Sequence, residues 1–105
     1  MISEDRMTAA LTYLATTDLP FAEAEAAVLR AEYLHELVKD RVFLTSTGTV
    51  AERQAQANSS EDAIRTHEEY LAAVVRHKQM RAKRETESQV IGVYRTQESS
   101  RRLGA

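Results

Sequence analysis

Apolar residues recur along this chain with the period of a helix. Met7, Ala10, Leu11 and Leu14 fall at i, i+3, i+4 and i+7, one stripe of an amphipathic helix, and predict a first helix over 3–16. Ser3 precedes it as a cap, with Glu4 and Asp5 at the positive end of the helix dipole. Thr16-Thr17-Asp18-Leu19-Pro20 reads as a stop followed by a start. Asp18 suits a cap, and Pro20 suits a first turn, where its missing N–H costs nothing. A second helix is predicted over 19–44. Ala24, Ala27, Val28, Ala31, Leu34, Val38 and Val42 form its stripe, widened by Leu29, Tyr33, Leu37 and Leu44 into an arc broad enough for two neighbours. Gly48 suits the left-handed residue after a helix.

Thr49-Val50-Ala51-Glu52 is a capping box, and the stretch after it holds no proline and one interior glycine, Gly92. It predicts one long third helix over 50–102. Its weakest point is Asn58-Ser59-Ser60, whose side chains compete for backbone hydrogen bonds and offer a second cap at Ser59 with Asp62; a continuous helix with a kink there is expected. Ala57, Ile64 and Leu71 repeat at seven and Val74 adds a second position, the spacing of a coiled-coil seam. The pattern fades across residues 78–88 and resumes at Val90. At ~1.5 Å per residue the three helices measure about 20, 38 and 75–80 Å. Short loops make neighbours antiparallel, so the first two are expected to cover the third only to about residue 75. Met80, Val90, Ile91, Val93 and Tyr94 are then left for a partner unless the helix turns back at Gly92. The expected architecture is a single all-α domain spanning 1–105: an antiparallel helical hairpin or three-helix bundle with one long C-terminal helix, coiled-coil-like. Leu34, Val38, Ile64, Leu71, Val75, Val90 and Ile91 are the expected core or dimer residues, and a homodimer is the expected assembly.

Composition agrees with helix. The 105 residues include three Gly and one Pro, and 43% are hydrophobic but only 6% aromatic, which implies an aliphatic, Ala-rich core. With no Cys, disulfides and thiolate chemistry are excluded. The amino terminus MISEDRM lacks the apolar segment of a signal peptide, and no apolar run approaches a membrane span, so a cytoplasmic protein without a membrane partner is expected. The net charge of −2 is unevenly spread. Residues 1–69 carry thirteen acids and six bases, and residues 70–105 carry three acids and eight bases. Such asymmetry points to a polyanion or to copies pairing acidic end with basic end, and equally describes an ordinary solvated helix.

Arg76, Lys78, Arg81, Lys83, Arg84 and Arg95, with Tyr94 beside them, are the candidate contacts for nucleic acid or a protein partner. Cations at this density neutralise phosphates, and a tyrosine can stack on an exposed base. Against that stand a sequence pI near 5.9 and the helix dipole, which favours cations near any C-terminus. Glu32 and His35 have the i, i+3 spacing of a di-iron half-site, but the chain carries one copy, where Glu68 or Glu69 of a second subunit would have to complete it. His67 and His77 lack metal spacing, and the serines lack a nucleophile setting. No catalytic residue, cofactor or metal site is assigned.

The segments YLATTDLPFAEAEAAVLRAEYL, VFLTSTGTVAERQAQANSSE and AKRETESQVIGVYRTQESSRR resemble a family of small helical bacteriophage proteins of unknown function. The likeness covers nearly the whole chain and rests on the ordered trio of TD turn, GTVAER cap and terminal YR-x-x-x-x-x-RR; the family commonly has Trp where this chain has Tyr94. Members are encoded among recombination and replication genes. The resemblance implies an accessory or regulator of phage DNA metabolism, or an inhibitor or adaptor that binds a host protein; the residues themselves point to a non-enzymatic protein and leave a purely structural oligomerisation module as a further reading. The resemblance assigns no residue a role.

Overall fold

The computed structural model describes residues 1–104. They form three helices and no strand: α1 (Glu4–Thr45), α2 (Val50–Ser59) and α3 (Glu61–Gly104). The fold is all-α, and within the chain's compact units α1 packs side by side with α3. Two compact units divide it. The first joins Met1–Ala22 to α3 from Lys78 onward, and the second is Glu23–His77; α1 and α3 each contribute to both.

Two predicted helix limits are corrected. The expected break over 16–19 does not occur, and the helices expected over 3–16 and 19–44 are one, with Pro20 inside. Pro20 cannot donate to Thr16 O, but the same turn is held in other ways. Thr16 Oγ1 donates to Thr12 O at 2.8 Å and Thr17 Oγ1 to Tyr13 O at 2.6 Å. Arg84, from α3, donates to Leu14 O (3.1 Å) and Thr17 Oγ1 (2.5 Å) through Nη1, and to Asp18 Oδ1 (2.6 Å) through Nη2. Leu14 lies in the last turn of the helix expected over 3–16 and Thr17 and Asp18 lie where the stop was expected, and Arg84 ties all three down.

The helix expected over 50–102 is instead broken at Ser60, an extended residue with φ −64° and ψ 148°. Its hydroxyl donates to Ala57 O (3.0 Å) and accepts from Ala63 N (3.2 Å). One side chain thus closes α2 and caps α3, with Glu61 and Asp62 in the new first turn. Elsewhere the caps are as expected. Ser3 Oγ accepts from Arg6 N, Thr49 Oγ1 accepts from Glu52 N, and Gly48 takes φ 111°. Gly92 lies inside α3, which does not turn back there.

Burial follows alternating steps of three and four. On α1 the row is Met7, Ala10, Leu14, Thr17, Phe21, Ala24, Val28, Ala31, His35, Val38 and Val42, none of them exposed. On α3 it is Ala63, Thr66, Tyr70, Ala73, His77, Met80, Arg84, Glu87, Ile91 and Tyr94, again none exposed. The α3 row differs from the expected Ile64–Leu71 seam by one residue. Small Ala63, Thr66 and Ala73 face inward, while Ile64 and Leu71 stay 56% and 41% exposed. The distal third of α3 is not left uncovered as expected. Residues 1–22 of α1 pack along it, burying Ile91 to 8% and partly covering Met80, Val90 and Tyr94, whereas Val93 remains 54% exposed. The reason is the unbroken α1, about 63 Å long at 1.5 Å per residue.

Candidate interaction surfaces

In the first unit the helices meet through polar groups. Arg6 donates to both oxygens of Glu87 (Nη1 2.6 Å, Nη2 3.0 Å). Those hydrogen bonds hold the Glu87 carboxyl below its ordinary range; burial opposes the shift, and the charges of Arg6 and Lys83 add to it. Gln97 clasps the first residues, accepting from Ile2 N (2.9 Å) and donating to Ile2 O (2.8 Å). Lys83 Nζ stands 4.9 Å from the centre of the Tyr13 ring, and the Arg84 guanidinium 5.2 Å from that of Phe21, both within cation–π range.

The basic candidates therefore separate. Arg84 is half-buried and bonded across to α1 at three acceptors, so its guanidinium is committed within the fold. Lys83 is exposed but leans on Tyr13. Arg76, Lys78, Arg81 and Arg95 are exposed. Lys78 and Arg81 are three apart and Arg95 follows Arg81 by fourteen, so these three share one helix stripe, which Arg102 extends. Arg76, seven before Lys83, lies on another. Two open grooves border the cationic stripe in the first unit. One, of 440 Å³, is lined by Leu14, Phe21, Arg81, Arg84, Glu85 and Ser88, and the other, of 450 Å³, by Tyr94, Arg95, Glu98, Ser99 and Arg102. Tyr94 is half-buried in the inward row, which leaves only part of its ring for a stacked base.

The second unit has a different chemistry. Its most buried residues are small or polar: Ala24, Ala57, Ala63, Thr66 and His77. Thr66 Oγ1 donates to Asp62 O (2.9 Å) and lies 2.9 Å from His35 Nδ1. The His35–Thr66 contact thus joins α1 to α3. The His67 ring sits 5.4 Å from that of His35. Glu32 is exposed, and among the described residues no three His, Asp or Glu side chains gather as a metal site. Arg53 joins α2 to α1, bonding Phe43 O (3.2 Å) with its guanidinium 4.6 Å from the Phe43 ring centre.

This unit exposes several large apolar side chains. Leu29, Tyr33, Leu34, Leu37 and Leu44 of α1 are 42–73% accessible, and Ile64, Leu71 and Val75 of α3 are 41–56% accessible. Of the residues expected in a core or dimer contact, Ile91 is buried, Val38 and Val90 are half-buried, and Leu34, Ile64, Leu71 and Val75 are exposed. The polar anchors Arg6, Thr17, Glu87 and Gln97 were not singled out from sequence, and Asp18, expected as a cap, lies inside α1 and accepts from Arg84 instead. Their one sequence signal is a pair of charges, Arg84 and Glu87, placed at three–four spacing between Met80 and Ile91. Among the described residues no helix is long and apolar enough to cross a membrane. No protein-family model matches the chain, and neither a curated protein nor a solved structure is detectably similar to it.

Proposed function

We propose that this protein acts by binding and not by catalysis: a phage-type helical accessory or regulator of DNA recombination or replication in the host cytoplasm, which self-associates and offers a cationic stripe to nucleic acid. The observation that carries the reading is the row of large apolar side chains left in water by the second unit. Contiguous apolar surface of this kind marks a protein interface, and another copy of the chain is the partner always present. A pair of copies is its smallest form. Lys78, Arg81 and Arg95 supply the second half of the reading, because they are exposed and share a stripe, and Arg81 and Arg95 line grooves. The phage-like segments supply the biological setting.

Light scattering tests the first half: an assembly larger than one chain at micromolar concentration is expected, and a monomer there removes it. A gel-shift titration at two salt concentrations tests the second. Lys78→Ala with Arg81→Ala and Arg95→Ala should flatten the salt dependence by about 2–3 in log–log slope; absence of binding at low salt removes nucleic acid from the reading. A second reading rests on the exposed acids Glu23, Glu25, Glu32 and Glu36 of α1, which suit a basic host protein. Stoichiometric capture of one host protein, abolished by charge reversal at these four, would establish it in place of DNA binding.

A further inference from the structure

We propose that His35 of α1 and His67 of α3 form a two-imidazole site for a late first-row divalent metal ion, with Cu²⁺ preferred over Ni²⁺ and Zn²⁺. Both side chains belong to the second unit and to neither surface used above, so the inference stands independently of self-association and nucleic-acid binding.

The two helices supply the histidines in different ways. His35 is half-buried in the inward row of α1, and His67 is exposed, one residue beyond the buried Thr66 of α3. Thr66 Oγ1 lies 2.9 Å from His35 Nδ1 and fixes that edge of the ring. Nε2 is the nitrogen that remains for a metal. In the bound form Nδ1 keeps its proton and donates it to Thr66, the arrangement by which the second nitrogen commonly orients a ligating imidazole. Tyr70, its ring centre 6.4 Å from that of His67, flanks the exposed partner.

Their separation suits a shared ion. With a metal–nitrogen bond of about 2.0–2.1 Å in line with each ring, two imidazole centres stand about 4.5 Å apart at a right angle and about 5.5 Å apart at 120°. The rings of His35 and His67 are 5.4 Å apart and inclined at 46°, inside that range and not stacked in parallel. Both line one groove of 280 Å³ with Lys39, Asn58 and Glu68. It has room for an ion and several waters of about 30 Å³ each.

The donor set selects the ion. Imidazole nitrogen favours Cu²⁺, Ni²⁺ and Zn²⁺ over Mg²⁺ and Ca²⁺, which seek oxygen, and Cu²⁺ is held most tightly of the divalent series. Among the described residues no third His, Asp or Glu gathers with the pair, so water fills the other positions and the ion is exchangeable. The surrounding charge does not oppose a cation. Lys39 Nζ is 3.2 Å from Glu36 Oε1, and Glu68 adds a negative charge at the groove.

Calorimetric titration of the full chain with the chlorides of Cu²⁺, Ni²⁺ and Zn²⁺ tests this, with Mg²⁺ as the oxygen-seeking control. One ion per chain is expected, Cu²⁺ tightest and Mg²⁺ without effect. His67→Ala and His35→Gln should each weaken Cu²⁺ binding about tenfold or more. His67 is exposed, so its variant should keep wild-type helicity by circular dichroism and separates lost binding from lost folding. Thr66→Val should weaken binding about tenfold to a hundredfold, and Thr66→Ser should restore it. Paramagnetic resonance of the Cu²⁺-loaded chain should show coupling to two imidazole nitrogens, lost in His67→Ala. No binding, binding that survives either histidine substitution, one ion shared by two chains, or equal uptake of Mg²⁺ overturns the site.

Discussion

The two units use the same helices and hold them together differently. In the first, long side chains reach across the gap and bond: Arg6 to Glu87, Gln97 to Ile2, Arg84 to Leu14, Thr17 and Asp18. In the second, the inward rows are mostly small, with Ala24 and Ala63 at 2% and 1% exposure, and His35 to Thr66 is a side-chain bond joining α1 to α3. Small residues let helices approach closely, but they displace the bulky ones. Leu34, Leu37, Ile64 and Leu71 are left outside, where they cannot stabilise the chain by themselves. The first unit is completed by its own polar contacts, and the second has apolar surface to give to a neighbour.

The contrast can be broken most strongly at Arg84. Arg84→Met keeps the stem and removes the three cross-helix bonds that Arg84 makes, leaving the Leu14 carbonyl and Thr17 without that partner, and should cost about 3 kcal/mol in denaturant unfolding. Hydrogen exchange should quicken in residues 1–22 and from Lys78 onward more than in 23–77; a uniform change would mean the two units open together. Next comes Ala24→Leu, which forces three additional heavy atoms into a row where Ala24 is already 2% exposed. About 2 kcal/mol of destabilisation is expected from overpacking, read as a lowered thermal midpoint, with exchange now quickening in the second unit. Gly92→Ala acts in the opposite direction. A Cβ there meets nothing within 4 Å, so removing the glycine from the middle of α3 should stabilise by about 0.5–1 kcal/mol.

The smallest effect is set by pH. Glu87 has its folded pKa below the ordinary 4.5 because Arg6 donates to its carboxylate. The stabilisation is therefore fully present above about 4.5 and is lost as pH falls through the lower, folded value. Arg6 is 41% exposed, so solvent screens the pair and keeps the effect modest. Thermal midpoints of Glu87→Gln and the unaltered chain should converge as pH drops from 5 toward 3, and a constant gap across that range would remove the pair from the acid response.

Much of this was legible in the chain because helix period and caps are local. Ser3, Gly48 and Thr49 act where expected, and the α1 stripe through Ala24, Val28, Ala31, Val38 and Val42 is the buried one. The break at Pro20 was misread because Thr-Thr-Asp-Leu-Pro is a strong local signal. A longer-range one outweighs it: Ala10, Leu14, Thr17, Phe21 and Ala24 keep the three–four alternation straight through the proline. What stabilises the turn is Arg84, 67 residues away from Thr17, and no local pattern discloses it. The inward row of α3 was missed by one residue for a related reason. Ile64 and Leu71 are the more apolar choice, yet Arg84 and Glu87, which have partners on α1, share their phase with Ala63 and Tyr70. The break at Ser60 was half visible, since the serines mark a weak point but do not say which hydroxyl wins.

The Arg84 contacts also bear on how this chain avoids folding wrongly. A seven-residue repeat looks the same after sliding by one repeat, and rows of alanine tolerate such a slip with little loss of apolar burial. Arg84 does not tolerate it. Moved one heptad along α1, its guanidinium leaves Thr17 and meets Ala10, whose side chain offers no acceptor. A slipped hairpin would thus lose the Arg84 bonds to Thr17 and Asp18, an energy gap between correct and shifted alignments that the alanines alone do not create.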